Sequence, residues 1–306
     1  MVTMNVITVS DDNYAQHLGV MLYSLFEHAS VPGDIEVTVL DGGISDENRR
    51  NLKAVAKAWG GNVAFMHTDA SLYSKLATKR HISHAAYFKL SIPDLFAEKA
   101  ERILFLDCDM IIKGDITELW NIDLNGFCLA AVHNPLFERH DQLKLSKSTM
   151  TFNSGLMLIN IPQWRKENIS EQAMEFLQEN SHKIKLHDQD GLNAVLAGNC
   201  LFLHPKWNQQ TKYFELTHHF TSFTKREFES AKSNPYVIHY TTSSKPWQLD
   251  NVHPYKEDYR SRLLKTPWKE YEYNYTSKFR LYRSYLYQVL PNKLIGLLKY
   301  FLKPAS

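Results

Sequence analysis

The sequence is poor in cysteine, with three in 306 residues, at Cys108, Cys128 and Cys200. So few, so scattered, exclude a disulfide scaffold or a thiolate zinc site, and a reduced compartment is the expected setting. Long hydrophobic runs are also missing: no stretch approaches the roughly 18 apolar residues of a membrane span. Met1-Val2-Thr3-Met4-Asn5-Val6 has no basic segment, and Asp11-Asp12 interrupt the chain before a signal-peptide core can form. Synthesis and residence in the cytosol are therefore expected. No internal repeat and no low-complexity linker is seen. Net charge is only +2, which by itself points to no polyanionic partner. With 44% hydrophobic, 22% charged and 12% aromatic residues, collagen-like, disordered and coiled-coil chains are excluded. The length suits one large α/β domain with an appendage, or two modest domains.

What is present in the first third is an alternation of strand and helix patterns. Val6 to Val9 reads as a buried strand, and Tyr14 to His28 carries helical periodicity in Leu18, Met21, Leu22 and Leu25. Ile35 to Leu40 is a second strand, ended by Asp41-Gly42-Gly43. Ser45 caps a helix reaching about Trp59, with Asp46 and Glu47 in its first turn. Gly60-Gly61 stops it before a third strand, Val63 to Met66. This order predicts a mostly parallel, Rossmann-like sheet. No G-x-G-x-x-G follows the first strand, so the dinucleotide-binding version is excluded. Arg102 to Leu106 reads as a central strand buried on both faces. Further strands are expected at Cys128–Val132, Gly155–Ile159 and Val237–Tyr240, and helices at Gln172–Glu179 and Gln189–Leu196.

Beyond about His253 the composition changes. Residues 253–306 hold eleven Lys and Arg against four Asp and Glu, a net +7 that leaves −5 for the rest. Ten aromatics, from Trp268 to Phe301, crowd the same segment.

Several polar groups stand at strand ends. Asp107 and Asp109 flank Cys108 just past the carboxyl end of the apolar run, where open α/β sheets bind ligands. Two carboxylates there are costly unless a cation joins them, and oxygen donors suit Mg²⁺ or Mn²⁺. The bland alternative is a pair of turn acids on the surface. His239 ends another apolar strand; it is either structural or the nitrogen of an O,O,N ligand set, which would favour Mn²⁺. Asp11-Asp12-Asn13-Tyr14 follow the first strand, where an Asp or Asn suits a ribose or base edge and suits helix capping equally. Asn153-Ser154-Gly155 and Asp188-Gln189-Asp190 precede apolar segments and offer groups fit for sugar hydroxyls, although the second triplet also reads as a helix start.

Taken in order, these pieces resemble glycosyltransferase family 8, and within it the bacterial lipooligosaccharide α-1,4-galactosyltransferases that use UDP-galactose. The matching elements are Ser10-Asp11-Asp12-Asn13-Tyr14, Leu40 to Ser45, Arg80-His81-Ile82-Ser83, Leu106-Asp107-Cys108-Asp109, Phe152-Asn153-Ser154-Gly155, Asp188-Gln189-Asp190, and His239-Tyr240 with Lys245-Pro246-Trp247. They run from residue 5 to about residue 250 in the family's order. The resemblance implies an α/β GT-A fold, a Rossmann-like nucleotide-sugar-binding sheet, in a catalytic domain of residues 1–252. Residues 253–306 would form a small basic, aromatic-rich helical tail. The cofactor implied is Mn²⁺, with Mg²⁺ the alternative, held by Asp107, Asp109 and His239 against the diphosphate of a UDP-sugar. Asp11 and Asn13 would meet the uridine and Ile82 the base. Lys89, Cys108, Thr241 and Thr242 would join the donor-binding set, and Lys245 would balance the leaving group's charge. Arg80, Asn153, Asp188 and Gln189 would surround the donor sugar.

The reaction implied is hexose transfer with retention, galactose ahead of glucose, to a sugar of a lipid-linked lipooligosaccharide or lipopolysaccharide acceptor. Gln189 stands where a retaining glycosidase would need a carboxylate, so front-face attack by the acceptor hydroxyl is expected, with Gln189 stabilising positive charge. This sequence departs from the galactosyltransferases at His133-Asn134, where an Asp is usual. It departs also at Thr241 to Ser244, which lack the usual Gly, and at Lys89, often an Arg. The tail from Lys278 to Leu302 is expected to form one or two amphipathic helices broken at Pro291. They would dock on the inner membrane's cytoplasmic face, at about 1 kcal/mol per basic residue; the alternative is packing on the catalytic domain. A haloacid dehalogenase-type phosphatase is disfavoured because Asp107 follows three strand–helix units rather than opening the chain. A non-catalytic sugar-binding module would not need Asp107, Asp109, His239 and Lys245 together. No nucleic-acid motif accompanies the basic tail.

Overall fold

In a computed structural model the chain is described for residues 3–68, 73, 76, 84–275, 277, 278, 281, 282 and 285. Contacts divide it into two units, Met1–His239 and Tyr240–Ser306.

The first unit opens with the expected alternation: β1 (Met4–Ser10), α1 (Ala15–Glu27), β2 (Ile35–Asp41), α2 (Asp46–Lys57) and β3 (Asn62–His67). β1 pairs with β2 in parallel from Met4–Ile35 to Ser10–Asp41, and β2 pairs with β3 in the same sense. Ser45 caps α2 as its sequence predicts, its hydroxyl accepting the Asn48 N–H. Next come α3 (Ile92–Leu95), β4 (Arg102–Leu106), β5 (Met110–Ile112), α4 (Thr117–Trp120), β6 (Leu129–His133) and β7 (Phe152–Asn160). The chain continues through α5 (Ile161–Lys166), α6 (Ile169–Glu179), α7 (Asp188–Leu196), β8 (Leu201–Phe202), β9 (Gln209–Gln210), α8 (Lys225–Ser233) and β10 (Val237–His239).

Seven strands form one sheet in the order β3-β2-β1-β4-β7-β6-β8. β4 lies at its centre, with Ile103 to Leu106 wholly buried, as a run apolar on both faces requires. The sheet is more mixed than the alternation predicts. β7 runs antiparallel to both β4 and β6, because the connection from β6 returns the chain along the opposite direction. It also begins at Phe152, so Asn153 and Ser154 are part of the strand rather than a loop before it. That reversal brings the start of β7 to the edge where β1, β4 and β6 end. On one face, the core joins Ile103, Phe105, Met157 and Leu129 with Trp164, Ala173, Leu177, Leu192 and Leu196 from the helices.

A second sheet, β5-β10-β9, contains the strand expected at Val237–Tyr240, but β5 and β9 have no counterpart in the sequence pattern. These strands of three and two residues are too short to leave a periodic pattern. Met110 of β5 and Gln210 of β9 both stand opposite His239.

In the second unit, α9 (Lys256–Leu263) buries Tyr259 and Leu263, and the Trp247 ring packs 5.4 Å from that of Tyr259. Lys256 donates from Nζ to the carbonyls of Leu249 and Asn251, both at 2.8 Å. The amphipathic helices expected between Lys278 and Leu302 fall largely outside the described residues. No described helix is long and apolar enough to cross a membrane.

Gly61, between α2 and β3, touches the wholly buried ring of Phe26 so closely that a Cβ would lie 2.2 Å from Cε1. Gly61→Ala is expected to cost about 1–3 kcal/mol by overpacking. Urea unfolding at equilibrium checks this, and an unchanged midpoint would contradict it.

Candidate active site

Each strand that ends at the shared edge delivers one part of the site. β4 ends in Leu106, and the ladder extends one step further as Asp107 N–H donates to the Gly155 carbonyl at 2.8 Å. Asp109 then precedes β5, whose first residue, Met110, stands opposite His239. Adjacency in the small sheet is what sets the imidazole beside both carboxylates. His239 Nε2 lies 3.1 Å from Asp109 Oδ1 and 3.7 Å from Asp107 Oδ2. One ligand atom from each of the three falls within 4.8 Å of the others.

The other imidazole nitrogen fixes the tautomer. His239 Nδ1 lies 3.0 Å from Asn208 Oδ1, while Asn208 Nδ2 donates to Asn153 Oδ1 at 2.9 Å. Asn208 therefore presents its oxygen to His239, so Nδ1 donates to it and Nε2 is the ring nitrogen turned to the carboxylates. Room for the ring depends on Gly155. A Cβ there would stand 2.2 Å from His239 Cε1 and 2.6 Å from Asp107 Oδ2.

Lys89 is buried behind the aspartates. Its Nζ bonds Asp188 Oδ2 at 2.9 Å and Asp107 Oδ1 at 3.4 Å, and lies 4.6 Å from the centre of the Phe105 ring. Burial alone would lower the ammonium's pKa. The two carboxylates outweigh it and raise the pKa, so Lys89 is a fixed cation. Asp188 Oδ2 also accepts the Ser154 hydroxyl at 2.8 Å. Gln189 Oε1 accepts two hydrogen bonds, from Asn153 Nδ2 and from the Ser154 N–H, both at 3.1 Å. A reciprocal pair between Asn193 and the Phe152 backbone holds α7 against the start of β7. Asp190, the third residue of the triplet, faces Arg139 instead.

The loop after β1 borders the same edge. The Tyr14 phenol is pushed up to about 12 by burial and then by the negative charge of Asp109. Asp11 caps the following turn through the Tyr14 N–H, Asn13 is exposed, and Asp12 accepts from Ser45 N–H and Asn48 Nδ2 of the α2 start. Cys108 turns inward: its thiol donates to the Val9 carbonyl at 2.9 Å, and burial pushes its pKa up to about 12. His133 ends β6 with its ring edge-on to Phe202 and Phe223, and burial lowers its pKa to about 4. At that position the chain therefore carries a neutral ring, not a charge.

Thr241, Thr242 and Lys245 belong to the second unit. There Lys245 Nζ donates to the Tyr240 carbonyl at 2.5 Å, and Thr242 Oγ1 to that of Ser244 at 3.1 Å. Asn251 Nδ2 donates to the same Ser244 carbonyl at 3.0 Å, so side chains brace a loop that has no glycine. Arg80 and Ile82 lie outside the described residues. Sequence reasoning missed Asn208 and Arg139. The first sits beside a two-residue strand and the second in a long connection, and neither position carries a pattern.

The model of glycosyl transferase family 8 matches residues 5–251. General stress protein A of Bacillus subtilis is 35% identical over 272 residues, covering 87% of this chain and 94% of that protein. A lipopolysaccharide 1,3-galactosyltransferase of Salmonella typhimurium is 30% identical over 237 residues, 72% of this chain and 66% of that enzyme. Among solved structures, the galactosyltransferase LgtC in complex with donor and acceptor sugar analogs superimposes with a TM-score of 0.76 at 24% identity. It covers 86% of this chain and 96% of LgtC, a likeness of the GT-A fold. On this evidence the chain belongs to glycosyltransferase family 8.

Proposed function

We propose that this glycosyltransferase moves a hexose, galactose ahead of glucose, from a UDP-sugar to a sugar hydroxyl with retention of configuration. The observation that carries the reading is the O,O,N set of Asp107, Asp109 and His239 beside the paired Lys89 and Asp188. The donors fit a divalent cation: two carboxylates, and an imidazole whose Nε2 faces them. Asp107, Asp109 and His239 would hold Mn²⁺, with Mg²⁺ the alternative. When bound, such an ion supplies positive charge against the diphosphate and so stabilises the departing UDP.

The chain's own residues account for the rest. Lys245 would add a second positive charge to the diphosphate, in line with the family resemblance, and the loop after β1 would take the uridine through Asp11 and Asn13. Asp188, oriented by Lys89 and Ser154, would accept the sugar hydroxyls. A retaining glycosidase needs a free carboxylate under the anomeric carbon. Here Gln189 is an amide with both lone pairs of Oε1 engaged, and Asp190 is bound to Arg139. These contacts support attack from the leaving-group face. The acceptor oxygen bonds to the anomeric carbon as the carbon–phosphate oxygen bond breaks, and the hydroxyl proton passes to the departing phosphate. Because Oε1 is already committed, Gln189 is better suited to hold the sugar through Nε2 than to stabilise positive charge. The acceptor proposed is a lipid-linked oligosaccharide, as the name of the Salmonella relative suggests, with residues 253–306 docking on an anionic membrane surface.

Calorimetric titration with UDP-galactose and UDP-glucose, with and without Mn²⁺, followed by a donor-hydrolysis assay, tests the reading. Binding of one donor only with Mn²⁺, together with UDP release, is expected; metal-independent binding would contradict it. Gly155→Ala should abolish the metal-dependent binding in a chain that still folds, with a midpoint lowered by overpacking as at Gly61, and retained binding would remove the cradle from the account. Gln189→Ala should lower kcat by about a hundredfold without abolishing turnover. A glycosyl adduct trapped on Gln189 and seen by mass spectrometry would contradict the front-face reading.

A further inference from the structure

We propose that Arg139, in the connection between β6 and β7, is a positioning residue for the turn that presents Asp188 and Gln189. The proposal rests on the reading of that turn as the donor-sugar site. Arg139 forks onto Asp190, with Nη2 2.6 Å from Oδ2 and Nη1 3.0 Å from Oδ1, and Nη2 also donates to the Lys183 carbonyl at 3.3 Å. The Asp190 side chain is 1% exposed. Its Oδ2 accepts two backbone N–H groups besides, from Lys185 at 2.7 Å and Leu186 at 2.9 Å. One carboxylate thus joins three pieces of chain: the β6–β7 connection, the 183–186 segment and the first turn of α7.

The residue between those pieces is the point under tension. His187 has φ 48° and ψ −118°, a conformation that a non-glycine residue keeps only where its surroundings impose it. Leu186 is held by Asp190 on one side of His187. On the other side, the Tyr87 hydroxyl meets His187 Nδ1 at 3.1 Å. Asp188 and Gln189 follow immediately. Without the guanidinium fork, the buried Asp190 carboxylate keeps its two backbone N–H donors but loses its countercharge, and the turn can relax by rotation at His187. Asp188 and Gln189 would then lose register with Lys89, Ser154 and Asn153. The metal ligands sit on the β4–β5 connection and at the end of β10, and would keep theirs.

That separation makes the role measurable. UDP has no hexose, so its affinity in the presence of Mn²⁺ reports only on the nucleotide and metal side. The kcat/KM for UDP-galactose reports on the sugar side as well. In Arg139→Met, kcat/KM should fall about tenfold to a hundredfold, the scale of a misplacement near 1 Å. The Kd for UDP with Mn²⁺ should stay at its wild-type value. Arg139→Lys keeps the charge without the planar fork, and should recover part of the loss. Unchanged kcat/KM in folded Arg139→Met would overturn the proposal. So would a fall in UDP affinity in step with kcat/KM in either variant. If Arg139→Met does not fold, the same two constants measured on Arg139→Lys decide. Failure of the wild-type chain to bind UDP with Mn²⁺ is a separate outcome, which brings down the donor-site reading and the proposal with it.

Discussion

Negative charge gathered at one sheet edge is the constraint on which the site is built. Asp107 and Asp109 stand close together just past the end of the buried central strand, and Asp188 approaches from α7. Carboxylates held this close raise one another's energy unless positive charge lies among them. Lys89 is the permanent cation: it bridges Asp107 and Asp188 from below and rests on the Phe105 ring, which shields it from water. On the open side Nε2 of His239 faces the pair, and the three groups together leave a place for a second cation. The sheet reversal at β7, the glycine at 155 and the Asn208 side chain each serve this arrangement. The first brings the polar triplet to the edge, the second leaves space for the ring, and the third fixes its tautomer.

Two supports hold α7 against that edge. Asn193 and the Phe152 backbone lock its middle to β7, while Asp190 locks its start to Arg139 and to the preceding segment. The consequence is a division of labour within one triplet. Asp188 and Gln189 face the strand edge, whereas Asp190 is spent on structure and offers no free oxygen to a substrate. In the second unit a comparable economy appears around Lys245, where bonds from Thr242 and Asn251 to Ser244 do the work that a tight glycine turn does elsewhere.

Much of the architecture was legible because long apolar runs leave a pattern. β1 to β4, α1 and the Ser45 cap of α2 stand where periodicity places them, and Asp107 and Asp109 follow the run that predicts them. What could not be read depends on pairing across long separations. The three strands of the small sheet hold two or three residues each, so neither the meeting of His239 with Asp109 nor the place of Asn208 follows from local sequence. The antiparallel course of β7 is set by its neighbours, and so the polar triplet read as a loop is a strand. Lys89 was expected in the donor-binding set through its place in the family pattern. Its bridge between Asp107 and Asp188 is visible only in three dimensions.

The central claim is that Asp107, Asp109 and His239 act as one divalent-metal site. Pulsed electron paramagnetic resonance of Mn²⁺ bound to the full chain with UDP tests it most directly, because an imidazole ligand imprints nitrogen couplings on the manganese signal. Nitrogen modulation present in the wild type and lost in His239→Ala is the expected result. Bound Mn²⁺ with no nitrogen modulation, or modulation that persists in His239→Ala, would contradict it.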